Sequence, residues 1–274
     1  MMNLFSLKNK VVVITGAAGL LGKQHSYAVA EAGGTPILLD LAQSSIDSLA
    51  MELNSAFDCN SIGLAVDITK EQSVEAACKR ILAEYGKIDG LINNAANNPK
   101  VETSDTVNFS RLEHFPIDVW NSDIAVGLTG AFLCTKYFGQ AISENPSGGS
   151  IINVSSDLGL IAPDQRLYRQ EELPEHRQPV KPVTYSAVKT GLIGLTKYVS
   201  TYWAGIPVRC NAICPGGVEN GQPEAFLKEV TSRIPMGRMA KKDEYKGLII
   251  FLLSDASSYI NGAIIAADGG RTAW

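Results

Sequence analysis

The chain alternates between short, uniformly apolar runs and longer segments in which apolar residues recur every three or four positions. Val11-Val12-Val13-Ile14-Thr15 is the clearest of the first kind. It is β-branched and shows no polar alternation, the pattern of a strand covered on both faces. Similar runs predict strands near 10–15, 36–40, 62–66, 88–93, 149–155, 206–213 and 263–266. Helical spacing predicts helices near 20–33, 44–56, 70–85, 118–144, 184–204, 223–232 and 241–254. Strands and helices taking turns imply an α/β fold with a parallel sheet, helices on both faces and right-handed crossovers. No linker, internal repeat or low-complexity tract breaks the alternation, so residues 1–274 read as a single domain.

The first strand runs into Thr15-Gly16-Ala17-Ala18-Gly19-Leu20-Leu21-Gly22. Glycines there permit a tight turn and a close approach of backbone to a phosphate, and a helix opening at the turn aims its amides at a pyrophosphate. Taken alone, the cluster also fits an ordinary strand–turn–helix corner. The second strand ends on Asp40, near the spacing expected of an acid that meets a ribose. Its carboxylate would accept the ribose hydroxyls and repel a 2′-phosphate, and no Arg or Lys lies between Gly16 and Gly22. The expected cofactor is therefore NAD rather than NADP.

Tyr185 and Lys189 are four apart in Tyr185-Ser186-Ala187-Val188-Lys189, so on a helix they share a face. A phenol ionises near pH 10, and an ammonium beside it favours the phenolate, making Tyr185 a candidate for proton transfer. Such pairs are common on solvated helices. The glycine turn, and Ser156 just after a buried-type strand, give this one its weight.

Seven motifs occur in order: Thr15-Gly16-x-x-x-x-x-Gly22, Asp67 in Val66-Asp67-Ile68, Asn93-Asn94-Ala95-Ala96, Asn153-Val154-Ser155-Ser156, Tyr185-x-x-x-Lys189, Pro215-Gly216 and Asp268-Gly269-Gly270. From about Lys10 to Gly270 the chain thereby resembles the single-domain branch of the short-chain dehydrogenase/reductase family. The resemblance implies a three-layer, doubly wound Rossmann fold with a seven-stranded parallel sheet in the order 3-2-1-4-5-6-7. It implies Tyr185 as acid/base, Lys189 as the residue that lowers its pKa and binds the nicotinamide ribose, and Ser156 as hydrogen-bond partner of the substrate oxygen. Ser156 is preferred to Ser155 because Gly159 follows it at the family's usual offset. The cofactor would be held by Gly16, Ala18, Gly19, Leu21, Gly22 and Asp40, by Asp67 and Ile68 beside the adenine, by Asn94, Ala95 and Ala96, and by Tyr185, Lys189, Pro215, Gly216 and Val218. Helices near 118–144 and 184–204 pair subunits in many relatives, which implies a homotetramer or homodimer.

The chain departs from the family pattern in several places. Leu20 stands where a middle glycine is usual, with Gly19 one residue early, and Ala96 replaces the last glycine of its motif. Gly127 stands where the family carries a fourth catalytic residue, an Asn, that holds a helix kink and a water. Glycine can allow the kink but brings no amide. Two readings follow: a tolerated variation in an active oxidoreductase, or a dinucleotide-binding protein with impaired catalysis and a regulatory or assembly role.

Tyr185 follows Ser156 by 29 positions, more than the family's usual spacing. The extra residues, about 164–182, are polar, aperiodic and rich in proline, so they read as a loop inserted at the active-site mouth. Arg166 and Arg169 are the candidate ligands for an anionic substrate group, in company with His176, Arg177 and Lys181. The alternative is a solvated loop whose arginines pair with Glu171, Glu172 and Glu175, and His176 reads as a surface residue. A second long connection, Asn97 to Val119, would line the cleft opposite.

Net charge is −4 and the pI near 5.5, which offers no electrostatic case for nucleic acid or an anionic membrane. Five cysteines lack metal-binding spacing and read as free thiols, which suits a cytoplasmic protein, and no metal is expected. No apolar run is long enough to span a bilayer and the first ten residues lack a signal-peptide core. The expected reaction interconverts a secondary alcohol and a ketone on a polar small molecule, a sugar or sugar derivative, with a weak likeness in the tail to relatives of bacterial surface-sugar and flagellin-glycan synthesis.

Overall fold

The computed structural model describes residues 4–97 and 110–274. Seven strands form one sheet: β1 (Val11–Thr15), β2 (Thr35–Asp40), β3 (Ile62–Ala65), β4 (Gly90–Asn93), β5 (Gly149–Val154), β6 (Val208–Pro215) and β7 (Ile264–Ala267). All pairings are parallel, in the order β3-β2-β1-β4-β5-β6-β7. Val13 sits between Ile37 of β2 and Leu91 of β4. The helices are α1 (Leu20–Glu31), α2 (Gln43–Ala56), α3 (Glu71–Tyr85), α4 (Ile117–Ile124), α5 (Gly130–Ser143), α6 (Val183–Tyr202), α7 (Glu224–Thr231) and α8 (Lys246–Leu253).

The unbroken apolar run of β1 is explained by the two-sided burial. Val11 and Val13 face a core shared with Ile81 of α3 and Phe138 and Ile142 of α5. Val12 and Ile14 face the other, with Val29 of α1, Ile46 and Leu53 of α2, and Ile249 and Leu252 of α8. Alternate residues of a strand point to opposite faces, so a sheet with helices on both sides needs both sets apolar. Each fully buried aliphatic side chain contributes about 1.5–3 kcal/mol, which outweighs the weak propensity of strands only four to six residues long such as these.

Three boundaries differ from expectation. The long helix predicted near 118–144 is α4 and α5 joined through a π turn at Ala125–Thr129. The last helix starts at Lys246 rather than 241, because Glu244 takes the Lys241 amide and the Arg238 guanidinium and holds residues 241–244 in a turn. β6 runs on to Pro215, with Cys210 and Cys214 buried inside it as free thiols. The expectation for the Asn97–Val119 connection falls largely on residues 98–109, which lie outside the described residues.

Candidate active site

β1 and β4 are neighbours at the point where strand order reverses, and in such sheets the crevice beyond the carboxyl ends is where ligands bind. A cleft of about 350 Å³ opens there. Of the expected cofactor residues it is lined by Gly16, Gly19, Leu21, Asp40, Asp67, Ile68, Asn94, Ala95 and Ala96. Ala18 and Gly22 support it from behind. The Ala18 amide donates to Asp40 Oδ2 at 3.0 Å, and a side chain on Gly22 would strike the Gly16 carbonyl at 2.1 Å. Gly16 has φ +62°, and a Cβ there would come within 2.9 Å of the Ala95 backbone. Asn94 locks the turn by donating from Nδ2 to the carbonyls of Thr15 and Gly16 at 2.9 and 3.1 Å.

The shifted glycine leaves this geometry intact. Gly19 takes the N-cap position of α1 without a side-chain cap, so the leading amides of the helix remain available to an anion. Leu20, in place of the usual glycine, is the first residue of α1 and turns its side chain to the cleft mouth. A cradle that a Cβ would fill, bare helix amides and a carboxylate at the end of β2 together fit a dinucleotide.

A second cleft of about 440 Å³ adjoins the first and shares Leu20, Leu21, Asn94 and Ala96 with it. Ser156, Tyr185, Lys189, Pro215, Gly216 and Val218 all line it. Ser156 follows β5, while Tyr185 and Lys189 stand one turn apart on α6. Lys189 is 6 % exposed. Its Nζ donates to the Val154 carbonyl at 2.8 Å and lies 5.8 Å from the centre of the Tyr185 ring. The two serines have different occupations. Ser155 Oγ donates to the Lys189 carbonyl at 2.7 Å, whereas Ser156 hydrogen-bonds the Tyr185 phenol and lies 2.8 Å from Asp157 Oδ1.

The electrostatics differ from the sequence-based expectation. Burial raises the Tyr185 phenol above its ordinary value, the Ser156 hydrogen bond opposes that, and the Asp157 carboxylate reinforces it. Burial also lowers Lys189 to about 8, with repulsion from Lys181 in the same direction. A lysine beside the phenol was expected to lower the phenol's pKa. In this dry setting desolvation penalises both ionised forms and is the larger effect. Tyr185 is thus protonated at neutral pH, the form that can give a proton to a carbonyl oxygen, and Lys189 remains largely an ammonium.

Two further charged groups stand in this cleft, Arg271 without any local sequence signal and Lys181 as one of the cations of the inserted loop. Arg271 Nη1 meets Asp157 Oδ2 at 2.8 Å, with side chains 10 % and 4 % exposed, across 114 positions of chain. Lys181, at the end of the inserted loop, places Nζ 3.9 Å from the centre of the Tyr185 ring. Burial lowers it to about 8. Tyr168 and Phe226 add an aromatic wall.

The inserted loop is ordered by packing. It holds two short 3₁₀ turns, Gln165–Tyr168 and Glu175–Arg177, and Leu167 is buried against Val230, Ile234 and Met239. The buried Gln178 amide ties it together through Gln170 and Leu173. Arg166 and Arg169, the candidates for an anionic group, do not line the Tyr185 cleft. Arg166 is 78 % exposed and bidentate to Asp164 at 2.8 Å, and Arg169 is paired with Glu175 at 2.6 Å. His176 is exposed. The loop sends Lys181, and neither arginine, to the site.

Gly127 lies in the π turn, directly against α6, where a Cβ would meet Val188 Cγ1 at 2.5 Å. Among the described residues no cluster of His, Cys, Asp and Glu could hold a metal ion. No described helix is long and apolar enough to cross a membrane.

A parallel sheet with a dinucleotide-type cleft at its switch point, adjoining a Tyr-Lys-Ser cluster, is the architecture of a nicotinamide-dependent oxidoreductase. The chain belongs to the short-chain dehydrogenase/reductase family. Residues 10–168 match the short chain dehydrogenase model, and residues 175–272 match a second one, described as enoyl-(acyl carrier protein) reductase. Relatives include cis-4-hydroxycyclohexanecarboxylate dehydrogenase of Sinomonas cyclohexanicum, 33 % identical over 96 % of this chain and 97 % of that protein. D-threitol dehydrogenase of Mycolicibacterium smegmatis is 32 % identical over 98 % of this chain and 95 % of its own length. Among solved structures, a gluconate 5-dehydrogenase from Burkholderia cenocepacia in complex with NADP and tartrate superposes with a TM-score of 0.83 at 26 % identity, covering 99 % of this chain and 98 % of that one.

Proposed function

We propose that the chain is an NAD-dependent oxidoreductase that interconverts a secondary alcohol and a ketone on a polar, sugar-type small molecule. The observation that carries this reading is the convergence of Tyr185, Ser156 and Lys189 on one cleft, continuous with a second that bears Asp40. The preference for NAD rests on Asp40 and on the absence of any Lys or Arg from the described residues lining the Asp40 cleft. A 2′-phosphate would meet a carboxylate there and no counter-cation. The polar substrate is supported by relatives named for threitol and hydroxycyclohexanecarboxylate.

Bound NAD supplies the hydride chemistry. In reduction, protonated Tyr185 gives its proton to the substrate oxygen, and Ser156 donates a hydrogen bond to that oxygen as charge develops. Lys189, anchored on the Val154 carbonyl, keeps a cation near the phenolate that results. Oxidation runs the same transfers backwards, with Tyr185 as base. Asp40 would take the adenosine ribose, Asp67 and Ile68 would border the adenine, and Pro215, Gly216 and Val218 would flank the nicotinamide side.

On the same reading the chain is one nucleotide-binding domain, with the 164–182 loop as a wall of its substrate cleft. Phe132 on α5 and Tyr198 and Tyr202 on α6 are large and exposed, which supports pairing of these helices in a homodimer or homotetramer. Five free thiols support a reducing, cytoplasmic setting.

The test is NADH binding by fluorescence, followed by NAD-linked turnover of a panel of polyols, sugars and sugar acids. Tyr185→Phe is expected to lower turnover about 10²- to 10⁴-fold with NADH binding retained. Asp40→Arg is expected to move preference toward NADP. Unchanged turnover in the first variant, or an unchanged cofactor ratio in the second, overturns the corresponding assignment.

A further inference from the structure

Ser156 has a single hydroxyl hydrogen, and its neighbours fix where that hydrogen points. The Ser156 oxygen caps the short turn Asp157–Gly159 by accepting the Leu158 amide at 3.2 Å. The hydrogen goes to Asp157 Oδ1 at 2.8 Å, since a carboxylate offers only acceptors. The contact between Ser156 and Tyr185 is therefore made with the hydrogen of the phenol. On its other oxygen Asp157 takes Arg271 Nη1 at 2.8 Å. Donation thus runs from Tyr185 to Ser156 to Asp157, and Arg271 meets the carboxylate from the far side. Ser156 is 4 % exposed, so water screens these bonds little.

We infer that Asp157 and Arg271 are positioning residues for Ser156: Asp157 holds the Ser156 hydrogen, and Arg271 draws enough charge from that carboxylate for the hydrogen to pass to the substrate oxygen as negative charge develops there. The inference rests on the alcohol–ketone reading of the same cleft. The move is a rotation about the Cβ–Oγ bond of Ser156. No covalent bond breaks in the serine, and its oxygen stays on the Leu158 amide. A charge-assisted hydrogen bond is about twice as strong as a neutral one, so a carboxylate without its guanidinium would keep the hydrogen against a neutral carbonyl. Arg271 shares that carboxylate and weakens its hold. Neither residue has to touch the substrate for this. An ion pair that only fastened the final turn, Arg271–Ala273, over the cleft would give the same loss when either end is removed. A pair that positions Ser156 gives opposite changes.

The test is reduction of erythrulose, 1,3-dihydroxyacetone and 4-hydroxycyclohexanone by the enzyme–NADH complex, read as the single-turnover rate of NADH oxidation at saturating ketone. NADH binding is read from its fluorescence, and thermal unfolding checks that each variant folds. Arg271→Met leaves Asp157 its full charge and is expected to lower the rate about tenfold, with half-saturation by the ketone within about twofold. Arg271→Lys keeps the cation and should recover most of that loss. Asp157→Asn weakens the acceptor and is expected to raise the rate about threefold or more. In a Ser156→Ala background both changes should shrink to about twofold, the remainder being the field of Asp157 on Tyr185. A loss in both single variants, or opposite changes that are equally large without the serine hydroxyl, overturns the inference and leaves the oxidoreductase reading standing. If Arg271→Met fails to fold, Asp157→Asn with and without Ser156→Ala decides, and a slower rate, or a rise independent of Ser156, overturns it. Failure to bind NADH and to oxidise it with any of the three ketones overturns the underlying reading, and the inference with it.

Discussion

Gly127 lies in the π turn packed against α6, and the structure indicates what putting a side chain there would do. A Cβ on Gly127 would sit 2.5 Å from Val188 Cγ1 and 3.3 Å from Cγ2. Non-bonded carbons prefer about 3.5–4.0 Å, so the overlap is about 1 Å. Val188 is buried and lies between Tyr185 and Lys189 on α6, so it cannot yield outward without moving the helix that carries both. Overpacking of this kind costs about 1–3 kcal/mol. A glycine-to-alanine change within a helix returns up to about 1 kcal/mol. Gly127→Ala is therefore expected to destabilise by about 1–2 kcal/mol, a fall in Tm of about 3–6 °C at this chain length. Val188→Ala alone should cost about 2 kcal/mol through lost burial. The double variant should be less damaged than the sum by about 1 kcal/mol or more, since the new methyl fills the vacated space. Gly127→Asn should lower turnover about 10- to 100-fold, because an ångström of misplacement at Tyr185 is costly, and Gly127→Asn with Val188→Ala should recover much of it. Differential scanning fluorimetry and steady-state kinetics measure both effects. If Gly127→Ala raises Tm, or the two substitutions add, the packing explanation for this glycine is refuted.

Two further outcomes follow from buried groups. His25 is fully enclosed, has no partner for either ring nitrogen among the described residues, and is lowered from 6.5 to about 4 by burial. The unfolded chain takes up a proton near pH 6.5 that the native chain refuses until about pH 4. Its contribution to stability is full above pH 6.5 and is lost as pH falls through that window, by about 3 kcal/mol in all. Urea unfolding at pH 7, 5.5 and 4.5 should show this decline, and His25→Leu should remove that component; an identical decline in the variant would exclude His25 as its source. Arg271→Ala leaves the Asp157 carboxylate buried without its cation, expected to cost about 3–5 kcal/mol. With that negative charge unbalanced near Tyr185, the acid limb of the alcohol-oxidation profile should move to higher pH, and Asp157→Asn should move it lower. Profiles that coincide with the wild type would confine the ion pair to a structural role.

Much of this molecule was legible in the chain because its determinants are local. Uniform β-branched runs predicted the buried parallel strands, since covering a sheet on both faces requires every residue of a central strand to be apolar. Turn chemistry located the Gly16 bend, and a four-residue spacing was enough to put Tyr185 and Lys189 on one face of α6. The π turn at 125–129 left no mark in the apolar spacing, which runs on as in a continuous helix; only the family resemblance implied a kink at Gly127.

The electrostatics of the site were decided by tertiary structure alone. Arg271 reaches Asp157 across 114 residues, and no pattern in either neighbourhood anticipates the pair. In the inserted loop, composition identified cations but could not say which would be spent on nearby acids. Arg166 and Arg169 have Asp164 and Glu175 within a few residues and turn outward to them, while the packing of Leu167 beneath α7 and the Gln178 bridge carry Lys181 inward to Tyr185. The direction of the Tyr185 pKa reversed for the same reason. Sequence spacing shows that a lysine is near, but how much water has been removed from the phenol depends on every element packed around it. Desolvation is a property of the assembled cleft, and only the fold determines it.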